Sequence, residues 1–550
     1  MKKLLTTLLI FTAPLFLHAQ TLSFNGIDIN PGKNHSSPSA IVIANGNMFF
    51  AATTATHGRE LWMSDGTATG TKEVLDIYAD TTSSNPQTLV EYNNKVYFFA
   101  KDNTHGYELW VSDGTATGTQ LVKDINQGSG DGKGCAFSPK MIVFNGKLLL
   151  EANDGVNGCE LWISDGTTAG TQLLKDINPG INKSDIEEMT IASGKLYFTA
   201  NDGLHGKELW ATDGTTTGTQ IVKDINIGGA AFPSYLMAVN GKLCFIANDG
   251  TYGWELWVSD GSPTGTVMVK DINPGPNQGG YKVLATAGNT IYLLADDGQH
   301  GKELWTSDGT AAGTNMLIDI NPTGGASIEN LLPFNGKLYF DAYDGSTHGS
   351  EPWISDGTAA GTRMLKDIVP GYYPSEPQKF YSYKNNVYFI AFTNSFAMYQ
   401  LYITDGTEAG TILVSPVSPP QQSALGIATG NGFITYNSSM YFTAWFDDKG
   451  VELWSITDNS PFPNTITKQN TNQPAITLYP NPANHNFTIK TTTAFKTGSV
   501  TLTDVTGRVV KNEKLYNNEQ TIYLQGISPG IYIADVWLDD KRSTQKLVIE

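Results

Sequence analysis

The chain is short of cysteine, of positive charge and of long apolar runs, and each shortage excludes something. Cys135, Cys159 and Cys244 are its only cysteines in 550 residues, so there is no disulfide scaffold and at most one intrachain bridge can form. Cys135 lies in a small local insertion and Cys159 begins a strand-like run, which makes that pair the candidate bridge; three separate thiols are the alternative. Lys and Arg number 35 against 53 Asp and Glu, a net charge of −18. The charges are dispersed, whereas phosphate binding needs clustered Lys and Arg, so nucleic acid is excluded as a partner. Beyond the first twenty residues no stretch approaches the roughly 20 consecutive apolar residues of a membrane helix, and no transmembrane segment is expected. Helical periodicity is missing as well.

What is present begins with an export signal. Lys2 and Lys3 precede an apolar run from Leu4 to Leu17, then Leu17-His18-Ala19 offers a small-residue cleavage site. Residues 1–19 read as a signal peptide cut between Ala19 and Gln20, and loss of the two lysines takes the charge from −18 to −20. No cysteine follows the cut, so a lipoprotein anchor is not indicated.

Between the ends one motif recurs. Glu-Leu-Trp or a near variant starts at Glu60, Glu108, Glu160, Glu208, Glu255, Glu303, Glu351, Gln400 and Glu452, a period near 48 residues. Such a period means a solenoid, an array or a propeller. The unit Leu196 to Leu243 parses into four strand-like runs: Leu196–Asn201, Glu208–Thr212, Thr219–Ile225 and a last one near Tyr235–Val239 that ends at Asn240-Gly241. Asn-Gly is the strongest short hairpin signal, because both residues tolerate the positive φ of a type I′ turn. Four short strands per unit make a propeller blade. In Glu208–Thr212, Leu209 and Ala211 alternate with Trp210, so both faces are apolar, as in a sheet sandwiched between neighbours. The recurrent Trp is expected to be core filler. Asp28 precedes Asp76 by one full period, and Glu452-Leu453-Trp454 is a third strand without a fourth. The two fragments complement each other, which predicts a closed ring sealed by the N-terminal strand: an all-β propeller of about nine, alternatively eight, four-stranded blades spanning 20–458.

The repeat's polar residues invite chemistry. Eight aspartates, from Asp65 to Asp405, precede Gly and suggest calcium, yet an Asp-Gly turn explains them more cheaply. Asp124 to Asp131 is a further calcium candidate without the terminal acid of an EF-hand loop. His57, His105, His205, His300 and His348 each precede a Gly and lie three residues before the motif Glu; five copies argue for a turn residue, since a catalytic group is needed once. No catalytic motif can be assembled, no acid stands out as breaking the symmetry, and no cofactor is called for. Strand order places the His turns and the loops after the Asp-Ile-Asn runs on one face. That face bears aromatics without repeat equivalents: Tyr78, Phe137, Phe232, Tyr235, Trp254, Tyr281, Tyr372 and Tyr373. Variable loops on a rigid scaffold are where binding residues gather, and Trp254, Tyr281, Tyr372 and Tyr373 form the candidate partner-binding patch.

These units resemble the bacterial ELWxxDGT repeat family, with departures at Gln400 to Asp405, Glu351-Pro352-Trp353 and Asp458. The family implies architecture and no activity. After a polar linker at 459–473, residues 474–550 carry short strands expected to form a small β-sandwich. Leu478-Tyr479-Pro480-Asn481-Pro482, Asp504-Val505-Thr506-Gly507-Arg508-Val509-Val510, Pro529-Gly530-Ile531-Tyr532 and Lys546-Leu547-Val548-Ile549 together resemble the type A sorting domain of the type IX secretion system. The resemblance implies export across both membranes of a Bacteroidota-type bacterium, with the secretion machinery as partner. The whole is expected to be a secreted or surface-attached module that binds a glycan or protein ligand; a surface polysaccharide-cleaving enzyme, hydrolase or lyase, is the alternative.

Overall fold

In the computed structural model the described residues are 22–32, 34–135, 140–345, 348–393, 399–414, 432–446, 449–458, 476–481, 483–491, 495–504, 509–539 and 541–549. Ala19, Gln20, Phe137 and the linker 459–473 lie outside them. The chain divides into two compact units, 1–459 and 460–550. All regular structure among the described residues is β.

Among the described residues the first unit holds nine four-stranded antiparallel sheets, the blades of a propeller. Eight are consecutive in sequence, at 39–75, 87–123, 141–175, 187–223, 234–270, 280–318, 329–364 and 378–413; these are numbered blades 1 to 8. Blade 9 joins Ile434–Tyr436, Ser439–Ala444 and Glu452–Asp458 to the N-terminal strand Leu22–Ile27, with Leu22 opposite Asp458 and Ile27 opposite Leu453. The divergent unit around Gln400 is a complete four-stranded sheet, so the count is nine and the eight-bladed alternative falls.

The phase of the unit differs from the sequence reading. Tyr235–Val239 is not a fourth strand behind Thr219–Ile225; it belongs to Ser234–Val239, the first strand of blade 5. The Asn-Gly turn that follows joins the first two strands of one sheet. A period fixes the length of a repeat and leaves its starting point free, whereas hairpin turns join partners within a sheet. Asn240 (φ 46°) and Gly241 (φ 70°) have the positive φ pair this turn requires. First strands of neighbouring blades pack against one another, as Glu187–Ala192 does against Ser234–Val239, which places them innermost around the axis.

Burial follows the alternation. Trp210 packs with Leu149, Leu161 and Phe198, bridging blades 3 and 4, while Leu209 and Ala211 pack with Phe245 and Trp257, bridging blades 4 and 5. Each blade is thus glued on both faces. The rim adds a polar tie: the Lys223 ammonium donates to Thr266 O at 2.8 Å and lies 5.5 Å from the centre of the Trp257 ring. Cys135 and Cys159 form a disulfide with Cα atoms 5.8 Å apart. Cys244 is a free buried thiol, pushed up to about 12 by desolvation and so inert.

The second unit pairs a three-stranded sheet (Ile476–Tyr479, Asn486–Thr491, Glu519–Tyr523) with a four-stranded one (Val509–Leu515, Gly498–Asp504, Gly530–Leu538, Lys541–Ile549). Phe487, Ile489 and Ile522 from the first sheet share one core with Val500, Val536 and Leu547 from the second. This is the layout of a β-sandwich.

Candidate functional site

The motif's polar residues turn out to be joinery. In each Asp-Gly-Thr turn the aspartate caps its own loop: Asp213 Oδ1 accepts from Thr215 N at 2.8 Å and Thr215 Oγ1 at 2.7 Å. These bonds hold its carboxyl below the usual range. The carboxylate folds so tightly over the turn that a Cβ at Gly218 would collide with it. In the calcium candidate, Asp124 Oδ2 accepts from Gly128 N and Asp131 Oδ1 from Tyr107 N. No group of three or more His, Cys, Asp or Glu among the described residues is arranged to hold a metal.

The histidines do not engage the motif glutamate. His205 Nδ1 lies 2.7 Å from Asp202, His105 2.9 Å from Asp102, His300 2.8 Å from Asp297 and His348 2.6 Å from Asp344. His57 pairs instead with Glu73 at 3.0 Å. The carboxylate raises each imidazole's pKa. The missed signal was the aspartate three or four residues upstream, which with the His closes the turn.

The glutamates have a role that periodicity does not show. Glu208 is fully buried, and its Oε2 accepts from Ile225 N at 3.0 Å while Oε1 accepts from Ala231 N at 2.9 Å. It therefore clamps the loop that crosses to the next blade. The same arrangement recurs at Glu60, Glu303 and Glu452, the last seizing Ile29 and Ser36 across the ring seam. Desolvation pushes Glu208 up to about 7 against the pull of these N–H bonds, and the nearby Asp224 charge adds to the rise.

Because the strands are antiparallel, the His turns and the crossing loops emerge on one face, as expected from strand order. Of the candidate patch, Tyr372 and Tyr373 stand 66% and 60% exposed. Trp254 and Tyr281 are only half exposed. Trp254 packs on the blade 5–6 core and lies 6.3 Å from the Phe232 ring; Tyr281 carries the Lys302 ammonium 3.9 Å above it. The barest apolar groups on this face are aliphatic: Val156, Ile181, Leu204 and Ile227, at 71% to 87% exposure. They are neighbours round the ring. A Cβ at Gly158 would lie 2.9 Å from Ile181 O, one at Gly203 2.8 Å from Asn178 Oδ1, and one at Gly206 2.7 Å from the Ala230 Cβ. None of the four is aromatic, and the repeat gives no signal for them.

Two acids do break the symmetry. Where the second strands of other blades carry Ala51, Phe99, Thr199, Ile246 or Ile390, blade 3 has Glu151 and blade 7 has Asp341. Both are buried, and desolvation pushes Asp341 up to about 7. Neighbouring aliphatic positions had hidden them within the strand pattern. Asp341 accepts from Asn330 Nδ2 at 3.2 Å, and Asn330 in turn lines a cavity of about 300 Å³ formed by the first strands of blades 6, 7 and 8.

The other functional element is the C-terminal sandwich, with Asn481 Oδ1 accepting from Val548 N and Tyr532 donating to Ser528 O. Residues 477–550 match the secretion system C-terminal sorting domain family. The sorting domain assigns the chain to export, as a secreted or cell-surface protein that meets the type IX machinery. No curated protein matches the chain. Among solved structures it resembles PorZ, a surface component of the type IX secretion system of Porphyromonas gingivalis, at 13% identity and TM-score 0.34, over 94% of this chain and 75% of that one. Oligopeptidase B from Leishmania major (11%, TM-score 0.38) and a Mycobacterium tuberculosis puromycin-hydrolyzing peptidase (11%, TM-score 0.34) overlap 67% and 76% of this chain. The chain spans 55% and 61% of those two proteins' lengths. Overlaps this loose assign no activity to it. No helix among the described residues is long and apolar enough to cross a membrane.

Proposed function

We propose that the propeller is a binding module, exported by its sorting domain, that engages a glycan or protein partner through the face bearing the His turns and crossing loops. The observation that carries this reading is the row Val156, Ile181, Leu204 and Ile227, bare to solvent on adjacent loops. Contiguous exposed apolar surface rimmed by polar groups marks contact sites, and Tyr372 and Tyr373 stand exposed on the same face, on blade 8's approach loop. The repeat does not demand these residues: the position of Leu204 is Thr104, Gln299 or Thr251 elsewhere. A glycan array and a surface-protein panel, probed with the purified propeller with and without chelator, test the reading. Capture of a partner by the parent and its loss in Leu204→Asp with Ile227→Asp support it, and identical capture by both sinks it. Loss with chelator would establish calcium as part of the site.

A second reading, a polysaccharide-cleaving enzyme, is favoured by one observation, the buried Asp341 beside the axial cavity. A carboxyl raised to about 7 can serve as a general acid at neutral pH. Release of reducing ends that Asp341→Asn abolishes would put this reading in place of the first.

A further inference from the structure

Six first strands carry a non-glycine residue of positive φ, between 53° and 59°, beside the point where pairing with the second strand slips by one: Ala40, Thr88, Glu188, Tyr235, Asn330 and Lys379. Bulges of this kind re-aim a side chain. The conformation repeats from blade to blade while the residue does not, so the fold requires the bulge and leaves its side chain free to vary. Several of these side chains reach the next first strand round the ring. Glu188 Oε2 accepts from Leu236 N at 3.3 Å, and Asn330 Nδ2 donates to Pro377 O at 3.5 Å. The Lys282 ammonium lies 5.7 Å from the Tyr235 ring centre. They circle the axial mouth on the side where the crossing loops enter.

Between blades 6, 7 and 8 this circle opens into the cavity of about 300 Å³, with Lys282, Asn330 and Lys379 at its polar side and Leu284, Leu331 and Phe380 behind. Lys282 and Lys379 both line it, in a chain of net charge −18. Among the described residues neither has a carboxylate within ion-pair distance. Lys379 is half-buried, and its pKa is lowered by desolvation alone. Asp341, bonded to Asn330 on the cavity wall, is pushed up to about 7 by its burial, so at neutral pH it carries only part of a charge. An ammonium held partly out of water without a counter-ion costs free energy that an incoming anion would relieve.

We propose that this axial mouth is an anion subsite in which Lys282 and Lys379 hold the carboxylate of an acidic sugar, with Leu284, Leu331 and Phe380 against its ring. The size fits a single ring. One negative charge suits the site better than two, because Glu329 stands exposed beside Asn330 and would repel a dianion. The subsite deepens the binding-module reading and rests on it for its purpose, but its chemistry is measured separately.

The test is calorimetric titration of the full mature chain at low salt with D-galacturonate, D-galactose, sulfate and phosphate. Galacturonate is expected to bind, more weakly as salt rises, and galactose at least about tenfold more weakly, as expected for loss of a charge-assisted contact. Lys282→Ala with Lys379→Ala should lose galacturonate by at least about tenfold while melting like the parent. Lys379→Arg, which keeps the charge, should retain binding. Equal binding of galactose, or an unchanged affinity in the double variant, overturns the subsite; tighter binding of sulfate or phosphate overturns the carboxylate assignment. Leu204→Asp should leave galacturonate binding intact. If it alone abolishes capture of a partner while the double lysine variant captures normally and galacturonate does not bind, the loop-face reading stands and this subsite falls.

Discussion

At the residue scale the repeat motif is a fastening kit, and its parts can be removed one at a time. Trp210 fills the space between blades 3 and 4. Trp210→Ala should cost about 3 to 5 kcal/mol, the usual loss for a large aromatic deleted from a core, read as an earlier urea transition. Glu208 is subtler. Its two oxygens accept from Ile225 N and Ala231 N, and an amide in its place would point an NH₂ group at one of those donors. Glu208→Gln should therefore cost about 1 to 3 kcal/mol although nothing changes in size. The same carboxyl sets a pH dependence. Its pKa is raised from 4.5 to about 7 on folding, so the folded chain holds protons that the unfolded chain has released. Its contribution is complete below the unfolded value and is lost as pH rises through 7. Glu60, Glu160 and Glu303 act alike, Glu108 and Glu255 reach about 8, and the raised histidines share the sign. The melting temperature should fall by several degrees between pH 5.5 and 8.5, and Glu208→Gln should flatten the slope. The turn aspartates work oppositely: their lowered values make stability fall only once pH drops below 3.8. A melting temperature that rises from pH 5.5 to 8.5 would refute the assignment of buried, proton-holding glutamates.

At the scale of the strand, the ring is held shut by Leu22–Ile27, six residues paired along the edge of Glu452–Asp458. Glu452 reinforces the seam by accepting from Ile29 N and Ser36 N. Deleting residues 21–32 leaves that edge unpaired, strips Ile27 and Ile29 from the core shared by blades 9 and 1, and orphans the buried Glu452. The truncated chain should melt lower, with blade 9 exchanging its amide protons first; an unchanged melting curve would refute the seam. This closure was legible because a fourth strand without its first three and a third strand without its fourth are visible in spacing alone. Strand number, hairpin turns and the two-faced core were legible for the same reason, since each recurs. What recurs hides what is singular. Asp341 and Glu151 occupy positions where other blades have uncharged residues, and one acid in a strand pattern gives no period. The axial lysines were illegible because they line one cavity only across three blades, and Leu204 and Ile227 because a lone aliphatic residue in a loop gives no pattern.

At the scale of the whole molecule, two units carry separate jobs. The propeller's binding candidates lie on its crossing-loop face and axial mouth, far in sequence from 477–550, whose match to the sorting domain family concerns export. The sorting domain has its own core, with Phe487, Val500, Ile522, Val536 and Leu547 packed together, so removing it takes no residue from any blade. Deleting residues 474–550 should then leave a propeller that folds and melts as before but no longer reaches the cell surface. The signal peptide expected at 1–19 should still carry it across the inner membrane, and with its second address gone it should accumulate in the periplasm. Surface labelling of intact cells, compared with release of the periplasmic contents, reads the outcome. Undiminished surface label on the truncated chain would show that another part of the molecule directs export. Loss of the folded propeller altogether would show instead that the two units depend on each other for stability, against the separate cores described here.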